Sequence, residues 1–178
     1  MEKIDSCSFM YKVIIVGDFG VGKTSLIRRF IDNSFSEEYK SSIGVSISRK
    51  NIIQKIEDIS YSTTMMIWDI EGRTEFKPIF HHHLNGSKGF IIVADVTRTE
   101  SIESIKEHIQ ICEKASPKSP IFIAFNKSDQ EHKSFNIEEF KSYSLNIAGV
   151  FKTSAKDDIC VREIFELLNL EVLKSSLS

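Results

Sequence analysis

Gly17-Asp18-Phe19-Gly20-Val21-Gly22-Lys23-Thr24 follows a run of β-branched residues and opens a helical stretch. It is a complete GxxxxGK[ST] signature, set between strand and helix as that signature requires. The chemistry explains the spelling. Glycines let the backbone curl around a phosphate chain and present its N–H groups with little side-chain obstruction. The helix behind them adds the partial positive charge of its N-terminus. Lys23 is spaced to reach the terminal phosphates and the Thr24 hydroxyl to ligate Mg²⁺. Asp18, Phe19, Gly20, Val21, Gly22 and Ser25 complete the expected phosphate-binding set. A chance glycine-rich turn is the competing reading, and the flanking strand and helix argue against it.

Outward from this loop, short apolar runs alternate with helix-period segments, the pattern of βαβ units around a largely parallel sheet. The clearest buried strands are residues 12–16, 89–95 and 121–125, with helices expected at 23–32, 100–114, 137–146 and 160–174. Residues 45–56 and 60–68 flank the polar pair Glu57-Asp58 and read as a hairpin that adds one antiparallel strand. The expected fold is therefore α/β, a P-loop domain with a mixed, mostly parallel six-stranded sheet flanked by helices. It should occupy residues 11–174, with 1–10 as an N-terminal extension and 175–178 as a tail.

Composition narrows the function classes. A chain of 178 residues with a formal net charge of −2 fits one domain and has no concentrated basic character, so a nucleic-acid partner is not expected. No apolar run approaches the roughly 20 residues that cross a bilayer, and the first ten residues do not resemble a signal peptide. Cys7, Cys112 and Cys160 are widely separated and odd in number, which suits reduced thiols in the cytoplasm. Cys112 and Cys160 read as small buried apolar residues. The last residues, Leu173 to Ser178, offer no cysteine for a prenyl group, so no lipid anchor is expected in this chain, and a monomer is. His81-His82-His83 are not expected to share a metal ion, because consecutive helical side chains point about 100° apart.

A phosphate loop alone does not choose a base, since ATPases and nucleotide kinases share it. Asn126-Lys127-Ser128-Asp129 follows the strand 121–125, where open α/β sheets bind ligands. A carboxylate at Asp129 can accept hydrogen bonds from the ring N–H and exocyclic amine of guanine, whereas adenine presents an acceptor at the matching ring position. Such polar pairing discriminates by orders of magnitude. Thr153-Ser154-Ala155-Lys156 follows another apolar segment and suits close approach to a purine edge; a helix-start cap explains it equally well.

With these motifs in order, the chain resembles the Ras superfamily of small GTPases, and the Rab branch most closely, from about Tyr11 to Leu173. Ile43-Gly44-Val45, Trp68-Asp69 and Asp95-Val96-Thr97 carry the likeness further. The resemblance implies a Ras-like G domain that binds GTP or GDP with Mg²⁺ and presents switch loops, at about 35–45 and 69–84, to effector and regulatory proteins. It implies that Phe35 stacks on guanine, with a core phenylalanine as the other reading, that Ser42 stands for the usual threonine on Mg²⁺, and that Asp69 and Gly72 serve Mg²⁺ and the γ-phosphate. Asn126, Lys127, Asp129, Ser154, Ala155 and Lys156 take the base. Thr24, Ser42 and Asp69 form the metal set. Tyr39 can close over the nucleotide or sit exposed in its loop.

Three departures from that family surround the γ-phosphate. Asp69-Ile70-Glu71-Gly72-Arg73-Thr74 stands where DTAGQE is usual, so Arg73 replaces the water-orienting glutamine and Glu71 a small alanine. Phe19 fills a loop position usually held by a small residue. Arginine has only donors and accepts nothing from water. Phe19 crowds the path of an arginine finger, which is worth roughly 10³–10⁵ in rate. Glu71 faces repulsion from phosphate of, at most, about 4 kcal/mol for one charge pair. The expected catalytic set, Arg73, Glu71, Gly72 and Lys23, therefore implies slow hydrolysis. The alternatives are Arg73 acting as a finger in cis with Glu71 positioning water, an Arg73–Glu71 surface ion pair without effect, or a binding module held in one nucleotide state.

Overall fold

The computed structural model describes residues 4–37, 44–70 and 82–178. In chain order these form β1 (Ile4–Val16), α1 (Lys23–Asp32), β2 (Val45–Ile56), β3 (Ile59–Ile70), β4 (Ser87–Asp95), α2 (Thr99–Glu103), α3 (Ile105–Ala115), β5 (Ile121–Asn126), a 3-10 helix (Ile137–Tyr143), β6 (Ile147–Lys152) and α4 (Val161–Leu177). The six strands make one sheet in the order β2-β3-β1-β4-β5-β6. Only β2 and β3 are antiparallel; every other neighbouring pair is parallel. The hairpin turns at Glu57, which takes a positive φ of 53°.

Alternation along the central strands divides the core into two layers, one on each face of the sheet. Val13 and Ile15 of β1 face α1 and α4, where Leu26, Phe30, Phe165 and Leu168 are buried with them. Phe30 and Phe165 stack with centroids 4.3 Å apart, which fixes α1 against α4. Ile14 and Val16 point the other way, onto Phe90, Ile92, Ile105 and Phe125 beneath α3. Because both faces are covered, β1, β4 and β5 read as continuous apolar runs. Strand order reverses at β1, so the loops after β1, β4 and β5 meet at a topological switch point, where α/β sheets hold ligands.

The structure differs from the sequence expectations in four places. β1 begins at Ile4 rather than residue 12 and pairs with β3 along its length, while β4 joins it only from Lys12. The twelve-residue arms of the β2–β3 hairpin reach past the core and supply that extra ladder. The helix expected over 100–114 is broken at Ser104 into α2 and α3. The segment expected as a helix over 137–146 is a 3-10 helix ending at Tyr143. Beyond it the Ser144 hydroxyl and the Asn146 amide both donate to Glu113 of α3, which ties the chain down into β6. Finally, Cys160 is half-buried with φ 52° just before α4, rather than a core residue.

Asn169 of α4 is fully buried and accepts from the Thr63 hydroxyl at 2.9 Å and from the Tyr11 hydroxyl, while its amide donates to Gln54 at 3.3 Å. This joins α4 to three strands and satisfies polar groups that burial would otherwise penalise. Burial drives the Tyr11 phenol up to about 12, with the Thr63 hydrogen bond a smaller opposing effect, so Tyr11 stays protonated as the donor. Replacing Asn169 with Ala removes the side-chain acceptor shared by both hydroxyls and leaves Thr63 with only the Ile52 carbonyl at 3.1 Å and Tyr11 with only the backbone carbonyl of residue 169 at 3.3 Å. Urea unfolding should show a loss of about 1–3 kcal/mol, and Thr63→Val should lose less.

Candidate functional site

The loop between β1 and α1 is organised through its carbonyls. Lys23 Nζ donates to Gly17 O at 2.9 Å and Asp18 O at 3.0 Å. Arg98 donates to Phe19 O at 3.0 Å, Lys127 to Gly20 O at 2.9 Å and Asn126 to Val21 O at 2.9 Å. Gly22 O accepts the first turn of α1 from Leu26 N at 3.0 Å. Each carbonyl from 17 to 22 thus has a donor. Holding the carbonyls in this way suits an anion-binding nest, in which backbone N–H groups face the ligand. Ser25 follows in the first turn of α1, behind Lys23 and Thr24.

Two glycines are sterically required. Gly17 has φ 151°, and a Cβ there would run into the Val93 carbonyl of β4. Gly22 has φ 100°, and a Cβ would collide with the Asn126 amide. Loop and strand ends therefore approach more closely than any side chain permits.

Asn126, only 2% exposed, also accepts from the Thr153 hydroxyl at 3.2 Å, so one side chain spans the phosphate loop, β5 and the loop after β6. Lys127 takes a left-handed φ of 63° and reaches back to Gly20 O and to Asp95 Oδ2, the latter at 2.6 Å. Asp129 is exposed and accepts from the buried Ser154 hydroxyl at 2.6 Å, which in turn accepts from Asp157 N. That clamp holds one oxygen of an otherwise exposed carboxylate. Arg29 of α1 donates to Ala155 O at 2.8 Å and Lys156 O at 2.9 Å, fixing the same loop from below. Lys156 closes to Glu37 at 3.1 Å, and Phe35 is half-buried against the α1/α4 core layer.

On the metal side, Thr24 Oγ1 donates to Asp69 Oδ2 at 2.5 Å, and Asp69 is only 4% exposed. A hydroxyl and one carboxylate, both hard oxygen donors, suit Mg²⁺, which takes few protein ligands and completes its shell with phosphate and water. Among the described residues no cluster of three His, Cys, Asp or Glu side chains could hold a metal by itself. Ser42, Tyr39, Glu71, Gly72, Arg73 and His81 lie outside the described residues. His82 is exposed while His83 lies beside the Trp68 ring, so the two diverge. Burial pushes the Cys112 thiol far up, and a hydrogen bond to Glu163 raises Cys160 to about 11, so neither is a thiolate nucleophile.

Sequence reasoning assigned no role to Arg29, Asp95, Arg98, Ser104 or His108. Ser104 and His108 did leave a trace, standing one helical turn apart. Asp95 is 1% exposed. Burial alone would raise its carboxyl, but hydrogen bonds from Lys127 and Thr97 and the Lys127 charge outweigh that and hold it below the ordinary 3.8. A carboxylate depressed in the folded state stabilises the fold above its unfolded value and loses that contribution as pH falls through the folded one. Stability should therefore drop below about pH 4. Asp95→Asn should flatten that drop in denaturant unfolding across the acid range.

Comparison with known proteins matches this geometry. The Ras family model covers residues 12–174. Ras-related protein Rab-1C of Dictyostelium discoideum is 36% identical over 171 residues, covering 94% of this chain and 83% of that protein. RABD2a of Arabidopsis thaliana is 34% identical, covering 92% and 80%, and Rab-12 of Rattus norvegicus is 32% identical, covering 96% and 73%. A carbonyl-braced phosphate loop, a held Asp129 and these relatives lead to one family: the chain belongs to the Ras family of small GTPases, as a Rab-like GTP-binding switch.

Proposed function

We propose that this chain is a slow GTP switch in membrane-traffic-type signalling, with a GTP-bound state that outlasts that of glutamine-bearing relatives. The observation that carries the proposal is Arg73 in the DxxG segment that starts at Asp69. Glutamine both donates and accepts, and so can orient an attacking water; arginine only donates. Phe19 adds a second obstacle, a side chain 43% exposed on the phosphate loop where an activating protein would insert its arginine.

In this account the loop N–H groups and Lys23 bind the phosphates, and Asp129 and Ser154 select guanine. Phe35 stacks on the base, with Lys127, Ala155 and Lys156 around it. Thr24, Asp69 and Ser42 hold Mg²⁺, which when bound neutralises charge on the β- and γ-phosphates. Gly72 senses the γ-phosphate, and effectors read the switch loops ordered by it. The protein acts in the cytoplasm or at the periphery of membranes. The second reading is a pseudo-GTPase scaffold held in one nucleotide state; glutamate in place of the family's small alanine at position 71 favours it.

Single-turnover hydrolysis of Mg²⁺·GTP by wild type and Arg73→Gln tests the proposal. Wild type should be nearly inert, and the substitution should raise the rate by roughly tenfold or more. A wild type that hydrolyses readily and is slowed by Arg73→Gln would show instead that Arg73 takes part in the chemistry. Turnover absent from both proteins, with nucleotide still bound, would favour the scaffold.

A further inference from the structure

The Asp18 carboxylate reaches α3. Its Oδ2 accepts from the Ser104 hydroxyl at 2.8 Å, and its Oδ1 lies 3.0 Å from His108 Nε2. His108 is 5% exposed and shares the buried stripe of α3 with Ile105, Ile109 and Cys112. The next carbonyl, Phe19 O, is taken by Arg98 from the turn before α2. The first turn of the phosphate loop is thereby bracketed from the β4–α3 side, while Asn126 and Lys127 brace its second half; Arg98 and Lys127 meet at Asp95 Oδ2. Burial alone would raise the Asp18 carboxyl, but the His108 and Ser104 hydrogen bonds and the charges of His108 and Arg98 hold it below its ordinary value. Asp18 is therefore an anion throughout the neutral range, and an anion in that half-buried place needs its donors.

We propose that His108 is a positioning residue for the phosphate loop: with Ser104 it anchors Asp18, holds residues 18 and 19 in the phosphate-binding curve, and thereby sets how long guanine nucleotide is retained. The proposal rests on the loop binding nucleotide, as the family membership establishes. Removing the His108 donor while keeping an aromatic ring leaves a carboxylate against an apolar surface. Asp18 then swings toward water and carries the neighbouring N–H groups out of register with the phosphates. The break in the helix at Ser104 belongs to the same device, because it places that hydroxyl on Asp18.

Release of a fluorescent GDP analogue from the Mg²⁺ complex tests this, with wild-type retention measured first. His108→Phe should release the analogue faster by roughly tenfold to a hundredfold. His108→Gln, which restores a donor near the Nε2 position, should return to within about threefold of wild type. In an Asp18→Ala background His108→Phe should add nothing, because the contact it breaks is already gone. Equal effects of His108→Phe with and without Asp18, or no rescue by glutamine, would overturn the proposal and assign His108 to packing alone. If His108→Phe does not fold, the same cycle between Asp18→Ala and Ser104→Ala decides: non-additive release rates support the anchor, and additive ones overturn it. A wild type that retains no analogue would remove the nucleotide-binding reading itself. Normal retention by wild type and His108→Phe alike would remove only the anchor.

Discussion

One buried amide holds the site together. Asn126 gives its N–H to the Val21 carbonyl and takes the Thr153 hydroxyl, and it does so in a space that only glycine at position 22 leaves open. Loop, strand end and base loop come from separate parts of the chain, and none has a reason of its own to lie beside the others. An amide is suited to this because it donates and accepts through one rigid plane. Buried as it is, the group is costly to leave unmatched, so the three segments are fixed together or not at all.

The same economy recurs around it. Lys127 accepts a left-handed backbone in order to bridge Gly20 and Asp95, and the buried Asp95 carboxylate is in turn matched by Thr97. Arg29 reaches from α1 to the carbonyls of Ala155 and Lys156. The nucleotide site is thus braced by side chains whose charges are spent on protein carbonyls and carboxylates rather than aimed at solvent. Fixing the carbonyls restricts the loop backbone in advance, and backbone N–H groups that are preorganised bind anions well.

Much of this was legible in the residues. Gly17 to Thr24 announced the phosphate loop because the motif's glycines and its flanking strand and helix are local features. The hairpin at Glu57-Asp58 was legible for the same reason, and the six-stranded sheet followed from the alternation of apolar runs. What escaped depends on tertiary placement. The strand residues before Lys12 mix Asp5, Ser6 and Ser8 with apolar side chains in neither a strict alternation nor an unbroken run, and only the long β2–β3 arms make them a strand. The Ser104 break and the tie of Ser144 to Glu113 depend on partners 86 and 31 residues away in sequence, respectively. Cys160 looked apolar in composition, yet its left-handed backbone and the Glu163 contact keep it near the surface. His108 has no motif in the sequence to single it out; only its distance to Asp18 gives it a task.

The central claim is that side chains from strand ends create the nucleotide site by holding the loop's carbonyls. The most direct measurement is the equilibrium affinity of Mg²⁺·GDP for wild type and Asn126→Ala, with circular dichroism as the check on folding. The account predicts a folded variant whose affinity falls by roughly tenfold or more. A folded Asn126→Ala protein with wild-type affinity would contradict it, and would mean that the loop takes its shape from its own sequence alone.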